Sequence, residues 1–168
     1  KQDRQRQGPM NLFKSLGLAA SATLLAVAPA LAKIDPGTTR LLKTVDEYVT
    51  VKVDPTECTT DFYGYWSPST LELVLCTHGS VDGEDHDTVR HEVWHIVQHC
   101  LTHKTSRTLQ PVFKDPEAYK QEILSRISKG DLQRVLRMYP PRMHYSEVEA
   151  FVLASTLTAD EIREAFTK

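Results

Sequence analysis

Three side chains on one predicted helix, those of His91, Glu92 and His95, have the types and spacing that best support chemistry. Histidines four residues apart project from one face of an α-helix, a single turn apart, so both imidazoles can bind one metal ion. Zinc takes such nitrogen ligands and, in catalytic sites, keeps a position for water. Glu92 would then be the general base that activates the zinc-bound water for hydrolysis of a peptide bond. Metal binding explains the pattern better than an amphipathic helix that contains these residues by chance.

A catalytic zinc requires a third protein ligand, and the sequence offers several carboxylates for it. Asp115 and Glu117 stand at a predicted junction between a loop and a helix. Glu147 and Glu149 open a later predicted helix, where Ser146 and Glu149 have the spacing of a capping box. A carboxylate at position 147 could also simply favour the helix dipole. The residues alone therefore leave the choice of third ligand open.

The segments around these residues resemble the gluzincin families of zinc peptidases. In those families a later helix carries the third ligand, often as Glu-x-Glu-Ala, which residues 147–150 match, and the first Glu binds the metal. The resemblance implies a zincin-like fold, Zn²⁺ as the cofactor, Glu147 as the third ligand, and an edge strand at 73–76 that borders the cleft. It covers about residues 62–103 and 145–156.

Two departures from known zinc peptidases bear on this assignment. Gln98 and Leu101 stand where the metzincin class would require a glycine and a histidine after His95, so that class is excluded. Phe151 follows Ala150, where many gluzincins carry an Asp or Asn that supports a histidine ligand. Support for the histidines must therefore come from elsewhere in the chain.

The elements that must position these residues follow an α+β order. The chain has 168 residues, of which 40% are hydrophobic and 25% charged, as expected for one compact domain. We expect a small mixed β-sheet packed on the active-site helix, with a helical C-terminal half. The predicted order is a helix at 36–47, a strand at 48–53, a hairpin of strands at 62–66 and 71–76, a helix from Asp85 or Asp87 to about His103, and helices at 116–128, 131–138, 146–157 and 159–167.

The N-terminal region is predicted to be a targeting segment. Residues 1–9 read as an upstream extension, and residues 10–32 combine a basic start, a short apolar run and an Ala-x-Ala end. This pattern is typical of a secretory signal peptide cleaved after Ala32. It predicts a single mature domain at 33–168 that is secreted or periplasmic, without stable membrane association. An uncleaved segment would instead anchor the protein in the membrane.

Charge and cysteines limit the partners and the fold. The net charge is −2, with 20 basic and 22 acidic residues, so nothing indicates nucleic acid as a partner. The expected partner is a peptide or protein substrate, which follows from the predicted reaction. An exported protein with three cysteines can form one disulfide. We expect Cys76 with Cys100, with Cys58 and Cys76 as the alternative, and three reduced thiols remain a further option.

Other expectations concern the substrate and the kind of function. The strand at 71–75 could bind an extended peptide by strand addition. The alternative function is an exported zinc-binding domain without turnover that acts through protein contacts, and zinc-dependent hydrolysis of a non-peptide amide is a third. Glu92 argues against a purely structural site, which would have no use for a base. Four side chains could donate a hydrogen bond to an oxyanion: His103, Tyr139, His144 and Tyr145.

Overall fold

A computed structural model of the chain describes residues 35–56, 58–59, 63–77, 83–101 and 109–168. It shows a mixed α+β arrangement with a three-stranded sheet and a helical C-terminal half, as predicted. The predicted targeting segment lies outside the described residues, and no helix within them is long and apolar enough to cross a bilayer. The elements are α1 (Pro36–Asp46), β1 (Thr50–Val53), β2 (Gly64–Ser67), β3 (Glu72–Leu75), α2 (Gly83–Leu101), α3 (Pro116–Tyr119) with a π-helical turn (Lys120–Leu124), α4 (Lys129–Met138), a 3₁₀ turn (Pro141–Met143), α5 (His144–Thr156) and α6 (Ala159–Thr167).

The sheet has the order β1-β3-β2, with β3 parallel to β1 and antiparallel to β2. The predicted hairpin is therefore confirmed. The expectation that the strand at 73–76 lies at the edge is wrong, because β3 is the central strand. Its run Leu73, Val74 and Leu75 is buried throughout, and an uninterrupted apolar run is typical of a strand covered on both faces. Among the described strands, the edges are β1 and β2.

Helix α2 contacts both β2 of the sheet and helix α5. Its apolar stripe of Val89, Val93, Ile96 and Val97 is buried in the core, where hydrophobic side chains favour this packing. Helix α5 is buried on every side along residues 146–150, all five of which are buried. The core therefore fixes the two helices that carry the predicted site against each other.

Close packing also fixes β2 against α2. A β-carbon on Gly64 would lie 2.7 Å from the carbonyl oxygen of Val74 and 3.4 Å from Cγ2 of Thr88. Further along β2, the rings of Trp66 and His99 lie 6.0 Å apart. Strand β2 therefore runs along the flank of α2 that contains Thr88 and His99.

The disulfide joins Cys58 to Cys76, so the expected pairing of Cys76 with Cys100 is wrong. Because β1 and β3 are parallel neighbours, the segments that leave their C-terminal ends begin side by side, which brings Cys58 to Cys76. Cys100 lies exposed in the last turn of α2. At the same end of the sheet, the carboxylate of Asp54 accepts hydrogen bonds of 2.6 Å from both the backbone N–H and the hydroxyl of Thr77.

Candidate metal centre

Helix α2 presents the two predicted histidine ligands together in the core. His91 and His95 are 8% and 4% exposed. Their Nε2 atoms lie 3.1 Å apart and their rings meet edge to face at 4.7 Å. The spacing of one helical turn therefore has the effect expected from the sequence, which is to aim two ring nitrogens at one point.

Helix α5 adds a carboxylate to this pair. Oε2 of Glu147 lies 3.3 Å from Nε2 of His91 and 3.4 Å from Nε2 of His95. The three atoms form a nearly equilateral triangle, and the three side chains make a buried group that could hold a metal ion. Glu147 thus lies where the resemblance to gluzincins placed the third ligand.

The buried carboxylate of Glu147 and the two imidazoles shift one another's pKa values. Burial lowers the pKa of His95, but the adjacent carboxylate of Glu147 outweighs this effect and raises that pKa to about 9. Burial raises the pKa of Glu147, but the adjacent imidazoles of His91 and His95 lower it to about 2. The carboxylate is therefore kept ionised next to a positive charge, which a proton or a metal cation can supply.

One atom of the group, Oε2 of Glu147, is well suited to be a metal ligand. Oε2 of Glu147 is buried without a hydrogen-bond partner among the described residues, and its side chain is 2% exposed. A buried polar atom without a partner costs about 1–3 kcal/mol or more, so such atoms usually have a further role. Two imidazole nitrogens and a carboxylate oxygen form a common ligand set for a catalytic metal.

Glu149, the other candidate on α5, is directed away from this group. Its carboxylate accepts hydrogen bonds from Nε1 of Trp94 at 2.9 Å and from the backbone N–H groups of Val112 and Phe113 at 3.0 and 3.4 Å. The predicted capping box is also absent, because α5 begins at His144 and the Ser146 hydroxyl donates instead to the Met143 carbonyl. Glu149 is therefore a structural residue that fastens the segment before α3 to the core.

The two remaining candidates for the third ligand lie on the surface. Asp115 and Glu117 are exposed at the start of α3. The Asp115 carboxylate accepts a hydrogen bond of 2.8 Å from the backbone N–H of Ala118 and so caps that helix. Neither residue belongs to the buried group.

Glu92 and Tyr139 lie beside the group, both partly buried. Burial raises the pKa of Tyr139 above its ordinary value, and the charges of Glu147 and Glu92 raise it further. The charge of Glu92 also contributes to the raised pKa of His95. These electrostatic effects indicate that Glu92, the predicted general base, and Tyr139, one of the predicted oxyanion donors, lie near the candidate metal ligands.

The other predicted oxyanion donors do not join them. Tyr145 is 63% exposed and packs edge to face on Tyr119. Nε2 of His144 donates to the Tyr139 carbonyl at 2.8 Å, which is a local contact between α4 and α5. His103 lies outside the described residues. Of the four candidates, only Tyr139 is placed beside Glu147.

Gln98 is the residue of this region that the sequence reasoning missed as a participant. It is fully buried and contacts Nδ1 of His95 through Oε1 at 2.8 Å, while its Nε2 donates to the Ser146 carbonyl at 2.9 Å. Its position three residues after His95, on the same helical face, is the signal that could have identified it. Phe151 packs on the other histidine, with its ring 4.6 Å from that of His91.

Comparisons of the chain with protein-family models, with curated proteins and with solved structures find no match. The fold and site define the protein only as a mixed α+β chain with a buried group of two histidines and a glutamate that could hold a metal ion. Any narrower conclusion therefore depends on the geometry of this group.

Proposed function

We propose that the protein is a zinc-dependent hydrolase of peptide bonds. His91, His95 and Glu147 would bind the ion, and Glu92 would be the general base. The observation that carries the proposal is the triangle of ligand atoms, with sides of 3.1, 3.3 and 3.4 Å. Four tetrahedral ligands at the usual zinc distances of about 2.0–2.1 Å lie roughly 3.3 Å from one another, so the three atoms already have the spacing that zinc requires.

The ligand set leaves one tetrahedral position for water or substrate. Zinc held by these three ligands would polarise the substrate carbonyl and make the bound water more acidic. Glu92 adjoins His91 on α2 and, being partly buried, can accept the proton of that water and return it to the leaving amine. Tyr139, whose pKa is raised in part by the charges of Glu147 and Glu92, is the nearby donor that could stabilise the developing negative charge.

The surface that would bind the peptide is the outer edge of β2, not the strand at 71–75 expected from the sequence. The Tyr63 carbonyl accepts a hydrogen bond from the N–H of Cys76 at 2.9 Å, which marks this as a hydrogen-bonded pair of the antiparallel ladder. Because such pairs alternate, the backbone groups of Gly64 and Trp66 point away from β3. An extended peptide could pair with them and lie along the flank of α2 that carries Thr88 and His99.

The proposal is tested by measuring zinc content and peptide cleavage on the same set of variants. Wild-type protein should bind about one zinc and cleave casein or a peptide library in a way that a chelator abolishes. Glu147→Gln should lose zinc and cleavage together. Glu92→Gln should keep zinc and lose cleavage by at least about a hundredfold, because the base acts without being a ligand. Glu117→Gln, at an exposed carboxylate, is the matched control and should leave both unchanged.

The outcomes separate the competing functions. Zinc bound by the wild type without any cleavage would favour a binding domain that acts through protein contacts. Cleavage that survives in Glu92→Gln would remove the general base from the mechanism. Failure of the reconstituted wild type to bind zinc would refute the metal site itself.

A further inference from the structure

The buried amide of Gln98 connects the two helices that carry the candidate metal ligands. On α2, its Oε1 contacts Nδ1 of His95 at 2.8 Å. Toward α5, its Nε2 donates to the Ser146 carbonyl at 2.9 Å, one residue before Glu147. Gln98 also lies close enough to the carboxylate of Glu149 to oppose the rise that burial causes in the pKa of that group. One side chain with no exposed surface therefore contacts a ligand ring on one helix and the backbone beside a ligand on the other.

These contacts determine which way the amide and the imidazole are oriented. A backbone carbonyl can only accept hydrogen bonds, so the NH₂ group of Gln98 must face Ser146. Its oxygen must then face Nδ1 of His95, and that nitrogen must carry a hydrogen in order to donate. The other ring nitrogen, Nε2, is thereby directed toward His91 and Glu147, from which it lies 3.1 and 3.4 Å away.

We propose that Gln98 is a positioning residue of the metal centre, which fixes Nε2 as the nitrogen through which His95 binds metal. The inference depends on the proposed metal site. Gln98 holds the Nδ1 hydrogen, prevents the ring from turning, and ties the Ser146 backbone to the same point. Gln98 thereby supplies a hydrogen bond to a histidine ligand, which many gluzincins obtain from an Asp or Asn at the position of Phe151. The phenyl ring of Phe151 neither donates nor accepts a conventional hydrogen bond.

The test compares a substitution of Gln98 that removes both of its hydrogen bonds with one that keeps only the acceptor for His95. Gln98→Met keeps the approximate volume but removes both hydrogen bonds. Gln98→Glu keeps an acceptor for His95 and sets a carboxylate against the Ser146 carbonyl and Glu149. The matched control is Arg90→Met, because Nε of Arg90 donates to the Ala154 carbonyl at 2.7 Å and so links α2 to α5 without touching either imidazole ring.

Each protein is titrated with Zn²⁺ against a chromophoric chelator, and its thermal unfolding is measured without metal. Gln98→Met should bind zinc roughly 10–100-fold more weakly than wild type, the usual effect of removing an outer partner of a ligand. Gln98→Glu should lose stability without metal, yet bind zinc within about fivefold of wild type, because His95 keeps its acceptor. Arg90→Met should melt at a lower temperature and bind zinc within about threefold of wild type.

A purely structural role for Gln98 predicts a different result, in which zinc affinity falls in step with stability in all three variants. Such a correlation, or unchanged affinity in Gln98→Met, would overturn the proposal. Nitrogen-15 NMR of the zinc-loaded wild type tests it without any substitution, and should find hydrogen on Nδ1 of His95 and metal on Nε2. Metal on Nδ1 would refute it even if Gln98→Met fails to fold. Wild-type protein that binds no zinc would instead refute the metal site.

Discussion

Replacing Glu149 should destabilise the protein severely while largely sparing its metal site. In Glu149→Leu, three N–H groups lose their acceptor: Nε1 of Trp94 at 2.9 Å, the Val112 amide at 3.0 Å and the Phe113 amide at 3.4 Å. A buried donor without a partner costs about 1–3 kcal/mol. Three effects reduce this cost. The longest bond contributes least, and the two backbone N–H groups are only partly buried. Removing a buried carboxylate, whose pKa burial raises, also relieves an unfavourable burial. We expect a net loss of about 2–4 kcal/mol.

The assay is urea unfolding in the presence of a chelator, followed by zinc titration of the folded variant. For a chain of this size, the expected loss corresponds to a melting temperature lowered by roughly 5–15 °C. Zinc affinity should stay within about tenfold of wild type, since Glu149 does not reach the ion, whereas Glu147→Gln should weaken it by more than about a hundredfold. Unchanged stability in Glu149→Leu, combined with lost zinc binding, would show that the roles of the two glutamates have been interchanged.

Three other predictions concern the scaffold. Replacing Cys58 and Cys76 by alanine should cost about 3 kcal/mol in urea unfolding, given a sequence separation of 18, and a loss below about 1 kcal/mol would contradict the stabilising role of the bond. Leu71 has a φ of 54° and is 48% exposed, so Leu71→Asn should stabilise the protein by about 0.5–1 kcal/mol, and a lower urea midpoint would refute this. Asp54→Ala should destabilise it by about 1–3 kcal/mol through loss of both hydrogen bonds from Thr77, and wild-type stability would show that these bonds contribute nothing.

The sequence determines the part of the site that lies on one helix. The spacing of His91 and His95 fixes their relative direction once the helix forms, because helical geometry is local. Glu147 and Glu149 differ by about 200° around α5, so only one of them can face a ligand on α2. Which one does so depends on the rotation of α5 against α2, and that rotation is set by core packing. The resemblance to gluzincins indicated Glu147, and residue reasoning alone could not.

The wrong predictions concern contacts between elements that are distant in sequence. Periodicity indicated the strands themselves. Their order, including the parallel pairing of β1 with β3, depends on contacts between elements that are distant in sequence. That pairing makes β3 central, leaves the outer edge of β2 beside α2, and brings Cys58 to Cys76. The expected strand for peptide addition and the expected disulfide were both wrong because each depends on how these distant elements pack.

The two glutamates of α5 differ most clearly in how their oxygens are satisfied. Each oxygen of Glu149 accepts at least one hydrogen bond from a group of the core, so its carboxylate is fully used in holding structure. Glu147 is equally buried, but its Oε2 has no hydrogen-bond partner among the described residues and lies within 3.4 Å of two imidazole nitrogens. Burying an ionised group in this way is unfavourable unless a positive charge compensates it. A metal ion bound at this point would supply that charge from inside the core, so metal binding and the stability of the α2–α5 packing should be coupled.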